Sequence, residues 1–178
     1  MTPLLISTFL ALLAFAAAAG TILMLGLVVV GRSEMVRTMI GGPTALWLAA
    51  LVAIVATIGS LYFSEIAGYV PCLLCWYQRT AMYPLAVILP IAAVRGDGAV
   101  RPYAATLAGI GALIAAYHTI LQRVPNLPEV SCALDNPCSA IHFERFGFVT
   151  LPVMALIGFL AILTLLLASR EPSPEEPS

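Results

Sequence analysis

Long apolar runs separated by short polar links dominate this chain. A hydrocarbon core about 30 Å thick needs roughly 20 apolar residues as helix. Runs of that size occur at Pro3 to Gly31, Pro43 to Ser64, Cys75 to Val94, Pro102 to Gln122 and Gly147 to Ser169. The pattern predicts an all-α protein with five transmembrane helices. The first run carries no charge and stays apolar to Val30. Its small residues, Ala16 to Gly20, suggest a cleaved signal peptide as a rival reading, but no basic segment precedes them and the apolar run continues past them, so a retained helix is expected.

The polar segments are short. Arg32 to Arg37 reads as a charged link, and 123–146 is the one sizeable loop, with Pro125, Pro128 and Pro137 breaking any helix. The tail Arg170 to Ser178, with three prolines and three glutamates, reads as a disordered, solvated end. No internal repeat is evident. The expected organisation is an N-terminal helix and cytoplasmic link over 1–42, a helical unit over 43–169, and the tail over 170–178.

Composition sharpens this picture. Of 178 residues 61% are hydrophobic and 10% charged, where a soluble domain carries about 25% charged residues. All eight basic residues are arginines and the net charge is -1, which leaves no basic field for nucleic acid. Arginine placement predicts orientation. Arg32, Arg37, Arg95, Arg101 and Arg170 fall on one side, and Arg79, Arg123 and Arg145 on the other. The first set is expected to be cytoplasmic, with the amino terminus outside and the carboxyl terminus inside.

That orientation puts both cysteine pairs, Cys72 with Cys75 and Cys132 with Cys138, on the extracytoplasmic side, where disulfides form and persist. Four cysteines allow three connectivities, and sequence does not choose among them. Cys72 and Cys75, at i and i+3 where a helix begins, suit a redox-active dithiol, because free backbone amides and the positive end of the helix dipole favour thiolate. Arg79, four residues beyond Cys75, lies on the same face; its plain alternative is a snorkelling arginine at the membrane edge. A zinc site is disfavoured, because the two pairs stand more than fifty residues apart and do not match ribbon spacings. The second pair could be a structural staple, but two pairs on one side favour a relay by disulfide exchange. His118 and Gln122, at i and i+4 near the outer end of the fourth run, could bind a quinone oxygen or bond between helices. Glu65 and His142 read as solvated.

The ordered set Pro71-Cys72-Leu73-Leu74-Cys75-Trp76-Tyr77-Gln78-Arg79, Met82-Tyr83-Pro84, Tyr117-His118-Thr119-Ile120-Leu121-Gln122, Pro137-Cys138 and Phe146-Gly147-Phe148-Val149-Thr150-Leu151-Pro152 closely resembles the DsbB family of membrane disulfide-bond formation proteins, in its BdbC-like branch. The resemblance covers about Ala45 to Ala168. It implies a four-helix transmembrane redox bundle in the inner cell membrane that reoxidises a DsbA-type, thioredoxin-like thiol oxidase outside the cytoplasm and passes electrons to a membrane quinone, ubiquinone or menaquinone. By that resemblance Cys72, Cys75, Cys132 and Cys138 are catalytic. Cys132 would form the mixed disulfide with the partner and Cys138 would link to Cys72. Cys75, Arg79, His118 and Gln122 would face the quinone. No metal is implied. The first helix is extra to the family core. The close spacing of Cys132 and Cys138 also departs from members whose second pair is far apart, so either could act first. A relative of vitamin K epoxide reductase shares the chemistry but tends to place its loop cysteines before the Cys-x-x-Cys. A non-catalytic subunit or transporter stapled by two disulfides is the reading from another class.

Overall fold

A computed structural model of the protein describes residues 3–124 and 137–168. Cys132, much of the long loop and the tail therefore lie outside the described residues. Among the described residues six α-helices follow in order: α1 (Pro3–Val29), α2 (Ser33–Ile40), α3 (Pro43–Leu61), α4 (Leu73–Arg95), α5 (Arg101–Leu121) and α6 (Leu151–Ala168). Among the described residues no strand forms, only one isolated bridge between Arg145 and Val149.

Among the described residues three segments are long and apolar enough to cross a membrane by length and composition: α1, α3 with the turn after it, and α5 with the turn before it. Helix α6 is equally apolar but shorter. The 23-residue α4 is diluted by Gln78, Arg79, Pro84 and Pro90, so the five runs are all helical but unequal in hydropathy. The outer surface is apolar as lipid contact requires, with Ile22, Val94 and Leu113 each at least 70% exposed. This is an all-α integral membrane protein.

Helices α3, α4, α5 and α6 form the bundle, each packed against the next and α6 closing on α3. Alanines face inward around Leu46, Leu85, Leu89, Phe159, Ile162 and Leu166. Small residues let membrane helices approach closely, because lipid supplies no hydrophobic drive for association. Gly111 on α5 is the tightest case: a Cβ there would collide with the Phe159 ring of α6. Gly111→Ala is expected to cost about 1 to 3 kcal/mol of stability, read as a lowered thermal midpoint of the purified protein in detergent.

Three local features depart from the sequence pattern. The link after α1 is not a plain connector: Ser33–Ile40 forms the amphipathic helix α2, with Glu34 in its first turn and Val36 buried in the core. Helix α3 ends in a π-helical turn, Tyr62–Ile66, a widened winding frequent at functional sites. Helix α6 begins at Leu151 rather than Gly147, because Phe146 and Gly147 take positive φ and Arg145 and Val149 exchange backbone hydrogen bonds across a tight turn.

Candidate functional site

The site forms at one end of the bundle, where α4 begins. Val70 and Pro71 lead into Cys72, the extended N-cap residue of α4, and Cys75 is the third residue of the helix. This turn brings the two thiols together, with Cys72 Sγ–H donating to Cys75 Sγ at 3.5 Å. The proton of the pair therefore rests on Cys72. That hydrogen bond, reinforced by burial and opposed by His118, pushes the Cys72 thiol up to about 12. Cys72 packs with Cys138, Leu74 and Leu121 in one buried cluster, and burial pushes the Cys138 thiol up to about 12 as well. Cys72, Cys75 and Cys138 stand here as free thiols. Alkylation of Cys72 should accordingly quicken about tenfold per pH unit across the usable alkaline range without a plateau, since the reactive thiolate fraction rises with pH until the pKa is passed; a plateau near pH 8.5 in the Cys75→Ser background would show that Cys75 is what holds the proton on Cys72.

His118, only 2% exposed, ties the cysteine segments together. A carbonyl can only accept, so the 3.0 Å contact of Nε2 with the Cys138 carbonyl oxygen places the ring proton on Nε2. Nδ1 then accepts from Gln78 Nε2 at 2.9 Å. Cys72 Sγ lies 3.8 Å from the same Nε2. Donor atoms of Cys72, Cys75 and His118 all fall within 4.8 Å of one another, close enough to hold a soft metal ion. Both ring nitrogens of His118 are already engaged, so a metal there would cost a buried hydrogen bond.

Gln122 serves the loop rather than an open cavity. Its Oε1 accepts from Thr150 at 2.8 Å and its Nε2 donates to the Ala140 carbonyl at 3.2 Å. Arg123 continues the latch, bonding Glu144 at 2.8 Å and the Phe148 carbonyl at 2.9 Å. His118 and Gln122 line a small crevice with Cys72, Cys75, Ala140, His142 and Pro152.

A second, larger cavity of about 290 Å³ opens on the other side of Cys75, between α3, α4, α6 and α1. Arg79 lines it and is held by Ser60, which accepts from Nε through Oγ at 2.9 Å and from Nη2 through its carbonyl at 3.0 Å. The guanidinium also lies over the Trp76 ring at 5.2 Å. Of the residues expected at a common acceptor site, Cys75 and Arg79 therefore line this cavity, whereas His118 and Gln122 line the small crevice. That separation differs from the sequence expectation, and its cause is that α5 faces the loop while α3 and α6 enclose the cavity. Cys75, His142 and Leu151 line both.

Sequence reasoning missed Gln78 and Ser60 as partners, and read His142 as merely solvated. A buried glutamine inside an apolar run was a usable signal for Gln78. Ser60 and His142 had none, since each depends on a contact made across the fold.

The family model for disulfide bond formation protein DsbB matches residues 43–169. The chain is 46% identical over 119 residues to disulfide bond formation protein C of Bacillus subtilis, covering 66% of this chain and 86% of the relative. It is 42% identical over 129 residues to a probable disulfide formation protein of Oceanobacillus iheyensis, covering 71% and 87%. A probable disulfide formation protein of Coxiella burnetii is 42% identical over 118 residues, covering 65% of this chain and 80% of the relative. No solved structure matches the chain significantly. A paired thiol at the head of a membrane helix, backed by a buried histidine and a third cysteine, thus coincides with matches across the whole bundle, and the chain belongs to the DsbB family of disulfide bond formation proteins, thiol oxidoreductases of the membrane.

Proposed function

We propose that the protein carries two electrons from an extracytoplasmic, DsbA-type dithiol oxidase to a membrane quinone, with Cys75 as the junction. The observation that carries this reading is the placement of Cys75, whose sulfur accepts from Cys72 while the residue lines both the crevice of the exchanging cysteines and the larger cavity.

The larger cavity fits an amphipathic acceptor. Arg79, Gln78, Ser60, Tyr83 and His142 gather at the end near Cys75, and the remaining walls are almost wholly apolar. Its volume lies near the lower bound of ligand sites, about 300 to 1,000 Å³. A quinone bound there supplies an electron sink, taking up two electrons and two protons to become the hydroquinone.

The protein's own steps are thiol exchanges. A partner thiolate attacks the Cys132–Cys138 disulfide, and the partner's second thiol resolves the mixed disulfide and leaves the loop reduced. Cys138 then attacks Cys72 of the Cys72–Cys75 disulfide, and Cys75 leaves as thiolate. Cys132 attacks the Cys138–Cys72 link, which restores the loop disulfide and releases Cys72, whose high affinity for a proton makes it the thiol of the pair. Arg79 and the amide end of α4 offset the negative charge left on Cys75. The Cys72–Cys75 bond re-forms as two electrons and two protons leave through the cavity. His118 acts as a positioning residue, holding the Cys138 backbone beside Cys72. The close packing of Cys72 and Cys138 at one end of the bundle supports placing both pairs on the same, extracytoplasmic side.

Anaerobic mixing of the full-length protein with excess reduced DsbA-type partner and a defined amount of quinone tests this directly. One partner disulfide should form for each quinone reduced. Partner thiols that stay reduced, or that oxidise without quinone being consumed, would overturn the assignment. Running ubiquinone and menaquinone in parallel identifies the acceptor.

A further inference from the structure

Helix α1 has no counterpart in the four-helix core, yet it contributes a wall to the larger cavity. Leu10, Leu13, Ala14 and Ala17 line it, at i, i+3, i+4 and i+7 and hence on one face of α1. Opposite them stand Val52, Val55 and Ala56 of α3, with Met154, Ala155 and Gly158 of α6. Polar groups are confined to the end that holds Cys75 and Arg79, so the part under α1 is an apolar channel continuous with the head-group end.

The seating of α1 is specific. Arg145 donates from Nε and Nη2 to Ser7 Oγ at 3.0 and 2.9 Å, and Ser7 is 2% exposed. The Phe15 ring packs edge-on against Phe146 and Phe148, with centroids 5.4 and 5.8 Å apart. A Leu10 methyl carbon lies 3.0 Å from where a Cβ of Gly59 would stand, so α1 packs closely on α3 at this glycine. Gly59 precedes Ser60, the residue that holds Arg79. The helix is thus fixed to the loop turn before α6 and to the lip of the cavity, while most of its remaining surface faces lipid.

We infer that α1 encloses the isoprenoid tail of the acceptor, and that Leu10, Leu13, Ala14 and Ala17 set the preference for tailed over tailless quinones. This rests on the quinone reading of the larger cavity and adds a tail subsite to it. Ala14 is the point of greatest leverage, since it is a small residue on the lining face of α1 and a large side chain there would fill the channel.

The test uses full-length protein and two probes, a benzoquinone carrying a decyl chain and the same ring without a chain. Bound quinone per protein is measured by extraction and chromatography after gel filtration, and KM is measured for each probe. Ala14→Trp is expected to weaken retention of the tailed probe, and to raise its KM, by about tenfold, with the tailless KM unchanged. Leu12→Trp, at a 54% exposed position on the lipid side, should change neither. Should Ala14→Trp fail to fold, Leu10→Ala with Leu13→Ala is read instead and should loosen retention of the tailed probe alone. Equal effects on both probes, or none, would overturn the role of α1 and leave the quinone reading standing. Wild-type protein that neither retains nor reduces either probe would overturn both.

Discussion

Cys75→Ser is expected to reduce turnover with a dithiol partner and quinone by at least about a thousandfold, the scale on which removing a reacting nucleophile acts. Among the described residues Cys75 is the one cysteine lining the larger cavity, and neither Cys72 nor Cys138 can replace it there. Both are buried instead in the cluster with Leu74 and Leu121. Exchange on the other side of the site is expected to survive, because Cys138 still sits beside Cys72 and His118 still grips the Cys138 carbonyl at 3.0 Å. The variant should therefore accumulate a Cys72–Cys138 link while the loop is oxidised, as Cys72 attacks Cys138 of the Cys132–Cys138 disulfide and Cys132 leaves as the thiol, visible as a linked peptide pair by mass spectrometry. Turnover within tenfold of wild type would contradict the assignment of Cys75 as junction.

The second large effect is expected at Arg79. Two of its nitrogens are committed to Ser60 and its guanidinium lies over Trp76, so the charge is held in place at the cavity rather than drawn out to the membrane surface. A charged group in a membrane-spanning helix is costly and usually faces a functional cavity. A charge-assisted hydrogen bond contributes about 1.5 to 3 kcal/mol, which corresponds to roughly ten- to hundredfold in affinity. Arg79→Met should raise the quinone KM by that factor while thiol exchange with the partner continues at its normal rate. Arg79→Lys should recover only part of the loss, since an ammonium keeps the charge but cannot span both Ser60 oxygens in the same planar geometry. Unchanged quinone kinetics in Arg79→Met would reduce Arg79 to a membrane-edge anchor.

Much of the architecture was legible in the chain. Apolar runs of helical length located the helices within a few residues, because in lipid a backbone must satisfy its own hydrogen bonds and a long apolar run has few alternatives to helix. The exceptions have local causes. The start of α6 moved to Leu151 because the positive φ of Phe146 and Gly147 makes a turn that apolarity does not report. The link after α1 folds as α2 through an amphipathic pattern only eight residues long. Cys72, Cys75 and Arg79 could be grouped by helical spacing alone. The partition of His118 and Gln122 to the crevice could not, because it depends on which side of α5 meets the loop. Nor could the role of α1 be read, since a helix that is apolar all round marks no face, and the cavity wall emerges only once α3 and α6 stand opposite it.

Electron transfer through Cys75 requires it to face the larger cavity while Cys72 and Cys138 face the loop. The most direct measurement is covalent labelling of the reduced protein with 2-methyl-1,4-naphthoquinone, whose open ring carbon adds to thiolates, followed by peptide mass spectrometry. The label is expected on Cys75, with Cys72 and Cys138 unmodified, and an excess of a non-arylating tailed quinone should protect it. Labelling that falls first on Cys72 or Cys138, or that a tailed quinone fails to block, would contradict the proposed junction.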